Sequence, residues 1–82
     1  MKKIPITTEF IKLSQFLKWA AVVETGAEAN HLIREGKVKV NGEVELRRGK
    51  KLRIGDIVEI DDQQFLVTGE GSADIAVKGA KS

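Results

Sequence analysis

Few residues in this 82-residue chain are equipped for chemistry, and they are unevenly placed. There is one histidine, His31, and no cysteine or tyrosine. A catalytic centre needs a nucleophile, a base or a metal set converging in space. His31 follows a helical pattern beside Leu32, where a structural or contact histidine is the commoner finding. Asp61 and Asp62 are adjacent carboxylates between two strand-like runs, a setting in which aspartate normally shapes the turn itself. No phosphate-cradling glycine loop is present, since "RRGKKL" has one glycine and opens no helix. Catalysis is not expected, and no metal or other cofactor is expected either.

The dense feature is "ELRRGKKLRIGD", residues 45–56, which gathers Arg47, Arg48, Lys50, Lys51 and Arg53 around Gly49. The formal net charge of the chain is only +2. Its distribution is strongly polarised: Arg34 to Arg53 carries eight cations against three anions, and Gly55 to Ser82 carries six acids against two lysines. Such a field orients a polyanion and repels wrong approaches. A loop of this kind can also be a merely solvated connection. However, Lys12, Asn30, His31, Arg34, Lys37 and Lys39 fall on elements able to lie near it. Cations on a preformed surface neutralise phosphates and release counterions, giving affinity with little sequence readout. Aromatic residues are sparse and not interleaved with the basic ones, against single-strand binding by base stacking. Trp19 reads as a core-edge residue. The residues favour a shape-reading binder of structured RNA, with a protein-interaction adaptor using the acidic C-terminal third as the alternative.

The elements that must position these residues follow from periodicity. Residues 4–10, "IPITTEF", are β-prone, and Pro5 suits an edge strand. Leu13, Phe16, Leu17 and Ala20 have the spacing of one helix face, predicting a helix over 14–23 with Ser14 as N-cap. Thr25 and Glu28 have capping-box spacing, and Ala29, Leu32 and Ile33 continue a second helix over 26–35 that stops at Gly36. The period then changes to two. "KVKVNGEVEL" alternates about Asn41-Gly42, a strong hairpin signal that points Val38 and Val40 inward and Lys37 and Lys39 to the wet face. "IVEI" and "QFLV" close a last strand pair about "DDQ". The expected architecture is α+β: a helical hairpin packed on a small curled antiparallel sheet in one domain, residues 1–69, with a flexible tail over 70–82. The start "MKKIPITTEF" lacks the apolar stretch of a secretory signal, and no run approaches membrane-span length. With no cysteine, these features fit a cytoplasmic protein. A monomer is expected, because Pro5 and Lys2-Lys3 discourage pairing through the first strand.

Residues 12–60, with "LIREGKVKVNG" followed by "KKLRIGDIVEI", resemble the S4 RNA-binding domain (alpha-L fold), most closely its small stand-alone bacterial YaaA/YbcJ-like branch. The resemblance implies non-catalytic binding of structured RNA, ribosomal or tRNA-like, in ribosome assembly or quality control, and possible contact with a ribosomal particle. It places RNA across the helical hairpin and the loop after V-x-V-N-G. Lys12 then stands where the family often has the arginine of its Arg-Leu-Asp opening, with Ser14 replacing the aspartate. Thr25-Gly26 takes the place of a common Ser-Arg pair, so one phosphate contact is missing. Asn30 and His31 occupy positions where basic residues are frequent. The implied surface is Lys12, Thr25, Gly26, Asn30, His31, Arg34, Lys37, Lys39 and the five cations of the loop.

Overall fold

The chain passes from helix to sheet at Gly36, where the apolar period changes from 3.6 to 2. A computed structural model describes residues 1–69, so the tail expected over 70–82 lies outside the described residues. The elements run β1 (Lys2–Ile6), β2 (Ile11–Lys12), α1 (Leu13–Trp19), α2 (Gly26–Arg34), β3 (Val38–Val40), β4 (Glu43–Val44), β5 (Lys51–Leu52), β6 (Ile57–Ile60) and β7 (Gln63–Gly69). Five strands form one sheet in the order β1-β7-β6-β3-β4, and β2 pairs with β5 apart from it.

Antiparallel pairing holds between β3 and β4, β3 and β6, and β6 and β7. The sheet is nevertheless mixed, because β1 joins β7 in parallel, with Ile4 opposite Val67. Parallel neighbours need a long connection between them, and here the whole helical hairpin and the other strands intervene. Edge position also explains Pro5, which has no N–H to offer a second neighbour.

One face of this sheet is apolar. Ile4, Ile6, Val38, Val40, Val58, Ile60, Phe65 and Val67 are buried on it, against Leu13, Phe16, Leu17, Ala29 and Ile33 of the helices. Phe16 meets Phe65 edge-on with ring centroids 6.4 Å apart, the arrangement favoured by the ring quadrupoles. No polar or charged residue is buried as a whole among the described residues.

The helix ends show how local chemistry sets the boundaries. The capping box of α2 is complete: the Glu28 N–H donates to Thr25 Oγ1 at 3.1 Å, and Glu28 Oε1 accepts from the Thr25 N–H at 3.2 Å. At its other end, the Lys37 N–H reaches the Leu32 carbonyl and the Gly36 N–H the Ile33 carbonyl, with Gly36 at φ 75°. That is a Schellman motif. Helix α1 ends in the same way, Val22 N–H to Leu17 O and Ala21 N–H to Lys18 O, but the left-handed residue is Ala21 at φ 60°. The helix expected over 14–23 therefore stops at Trp19. Nor is Ser14 its N-cap: Lys12 holds that position without a side-chain hydrogen bond.

Candidate nucleic-acid interface

The first N–H groups of a helix need acceptors from elsewhere when no side chain caps them. In α1 the basic loop provides them. The Leu13 N–H donates to the Lys50 carbonyl at 2.8 Å and the Ser14 N–H to the Arg48 carbonyl at 3.1 Å. β2 and β5 continue this contact, with Ile11 opposite Leu52 and Lys12 opposite Lys51. Leu52 is fully buried. Within the loop, the Lys50 N–H closes a turn onto the Arg47 carbonyl at 3.2 Å. The cation-rich stretch is thus fastened by its main chain, leaving its long side chains at the surface.

The far end of the loop is held by the two sequence motifs acting on each other. Asn41, at φ 52°, donates from Nδ2 to Asp56 Oδ1 at 3.2 Å and accepts the Ile57 N–H on Oδ1 at 2.9 Å. Asp56 Oδ2 accepts the Arg53 N–H at 2.9 Å, closing the Arg53–Asp56 turn. Asparagine tolerates the left-handed backbone, and its amide offers a donor and an acceptor at once. V-x-V-N-G and L-x-x-G-D are one structural unit, although 15 residues separate Asn41 from Asp56.

The loop sorts its cations into two groups. Arg47, Lys50, Lys51 and Arg53 line one shallow concavity with Gly49. Arg47 is paired there: its Nε donates to Glu45 Oε2 at 2.9 Å, the one ion pair among the described residues. The hydrogen bond from the guanidinium holds the Glu45 carboxyl below its ordinary range, and the same contact raises Arg47. Lys51 places its Nζ 4.8 Å from the centre of the Phe10 ring, a cation–π distance. Arg48 departs from this group and lines a separate pocket with Asn30, Ile33, Arg34 and Leu46.

The remaining residues singled out in the sequence are distributed as follows. Asn30 and Arg34, one turn apart on α2, share the pocket with Arg48. His31 lies on another side of the helix, in a groove with Val22, Val23 and Leu32. Lys12 is exposed beside Lys51. Thr25 is engaged in the capping box, and Gly26, the first residue of α2, has open space where a Cβ would project. Lys37 is exposed just after α2. Lys39 stands on the sheet face turned away from the core, between Val44 and Glu59.

Aromatic and apolar surface was underread in the sequence. Trp19 is not a core-edge residue: it is 58% exposed, with its indole N–H donated to the Pro5 carbonyl at 2.7 Å. With Phe10 it lines a groove along the β1–β2 connection. Beside Val44 and Ile54, which are exposed too, Leu46, 59% exposed, is a further omission. Its only signal was its place next to Arg47, where a soluble loop gains nothing from leucine. Among the described residues no cluster of three or more histidines or acids could hold a metal ion, and no helix is long and apolar enough to cross a membrane.

Two comparisons bear on this geometry. The chain is 50% identical over 58 residues to the probable ribosome maturation protein RlbA of Bacillus subtilis (strain 168), covering 71% of this chain and 82% of that protein. The family model of the S4 domain matches residues 4–68, which takes in both helices and nearly the whole five-stranded sheet. The chain therefore belongs to the S4 domain family.

Proposed function

We propose that this protein binds structured RNA without catalysing a reaction, that the RNA is ribosomal, and that binding serves ribosome assembly or quality control. One observation carries the reading: the basic loop is fixed through main-chain hydrogen bonds to α1, while only one of its five cations is in an ion pair. A fold that needed these charges for itself would pair them. Membership of the S4 domain family supports RNA as the polyanion. The name of the Bacillus relative, a probable ribosome maturation protein, supports the ribosomal setting. The docking surface in this reading is the loop, Lys12 beside it, and the Asn30–Arg34 side of α2.

The test is binding to ribosomal RNA as a function of salt. Each phosphate neutralised contributes about −0.7 to −0.9 to the slope of log K against log salt, so four or more contacts give a slope near −3 or steeper. Arg47/Arg48/Lys50/Lys51→Ala, checked for native circular dichroism, should lose most of the affinity and most of the slope. Equal binding by both proteins would remove the loop from the interface. Retention of a protein partner at moderate salt, with no RNA, would favour an adaptor instead.

A further inference from the structure

We propose that the pocket between α2 and the basic loop receives a single unpaired base of the bound RNA, with adenine as its best fit. The inference rests on the RNA-binding reading and adds to it a subsite with base selectivity. Its walls are Ile33 and Leu46, and its polar groups are Asn30, Arg34 and Arg48. The cavity measures about 300 Å³, at the small end for ligand sites, which suits one flat group and not a base pair.

The Asn30 side chain makes the pocket more than a gap between cations. Its Oδ1 is buried and has no hydrogen-bond donor. Burying an acceptor without a partner is costly, and buried polar atoms in native proteins are nearly always satisfied. A group that enters the pocket and donates a hydrogen bond relieves this. An ionised phosphate or carboxylate cannot, since it brings only acceptors and would set its charge against the negative end of the amide dipole. The exposed Leu46 also has no use for an anion. A base answers both features, with apolar faces for Ile33 and Leu46 and an amino group at its edge. The asparagine amide matches adenine in both directions, accepting from N6–H and donating to N7. Arg34 and Arg48, at the same pocket, are then available to the phosphates on either side of the extruded nucleotide. Reading splayed-out bases while gripping the backbone is the usual route to selectivity in RNA recognition.

Positioning is local and stiff. Asn30 and Arg34 project from one face of α2, four residues apart. Arg48 is held across from them because its own carbonyl accepts the Ser14 N–H.

The experiment compares one RNA stem in four forms: fully paired, or carrying a single bulged adenosine, uridine or purine riboside, the last being adenosine without its amino group. Bulged adenosine should bind roughly tenfold tighter than the other three. Asn30→Leu should abolish that preference and melt no lower than the wild type, since it deletes an unsatisfied acceptor. Leu46→Ala, at an exposed position, should weaken the preference without altering the fold. Equal, salt-sensitive binding of all four stems by the wild type would overturn the base pocket and leave RNA binding intact. A preference for any bulge regardless of base would overturn the assignment to adenine. Failure to bind any stem or ribosomal RNA would overturn both readings.

Discussion

At the scale of single residues, two positions stand out, one carrying a backbone cost and the other tying up a cation. Ala21 occupies the left-handed position of a Schellman motif that α2 fills with Gly36. A Cβ there costs about 1–2 kcal/mol, partly offset by the greater freedom glycine has when unfolded. Ala21→Gly should stabilise the protein by about 0.5–1 kcal/mol, raising the melting temperature by roughly 2–8 °C. Glu45 is the second position, since it occupies Arg47, a cation of the proposed RNA surface. Glu45→Gln should raise RNA affinity a few-fold, with a stability change within about 0.5 kcal/mol. The Glu45 carboxyl has a lowered folded pKa, so its contribution to stability is present above the ordinary value of 4.5 and is lost as pH falls through the folded value. An NMR titration of its side-chain carbon should therefore show a midpoint below 4.5. Sequence made the capping box legible because Thr25 and Glu28 are three residues apart. It concealed the end of α1, because alanine gives no sign of a positive φ.

At the scale of elements, the decisive joint is Asn41 with Asp56. Asn41→Ala removes two side-chain hydrogen bonds and places alanine at φ 52°. About 1 kcal/mol for each bond and about 1 for the backbone predict a loss of roughly 2–3 kcal/mol in urea denaturation. Asn41→Gly should recover the backbone share. The hairpin at Asn41-Gly42 and the strands β6 and β7 were readable from alternation and turn residues. The parallel addition of β1 to β7 was not, since strand direction leaves no trace in a five-residue pattern. The clustering of cations was equally plain in the sequence. Their division, with Arg48 on one side and Arg47, Lys50, Lys51 and Arg53 on the other, arises at the Arg47–Lys50 turn and could not be read from composition.

At the scale of the whole molecule, both helices and the five-stranded sheet share one core. A chain of this length has a modest margin of stability, and Phe16 lies at its centre, fully buried against Phe65. Phe16→Ala should cost about 3–5 kcal/mol. Far-ultraviolet circular dichroism and RNA binding should then disappear in a single transition at a much lower temperature. The net charge of +2 conceals a polarity: four of the five loop cations are exposed and Lys50 is half-buried, while Asp56 is tied into its turn and Asp61-Asp62 lie at the β6–β7 hairpin.

One feature of the loop bears on how such a protein can diversify. Leu13 and Ser14 are capped by the carbonyls of Lys50 and Arg48, atoms that every amino acid possesses. The scaffold therefore sets few conditions on the side chains of Arg48 and Lys50, and in the proposed reading substitutions there alter the charge offered to RNA without disturbing the frame that displays it. The stretch behaves as a replaceable label on a permanent bracket, so that in the proposed reading the strength of RNA attachment can be retuned there while the frame stays the same.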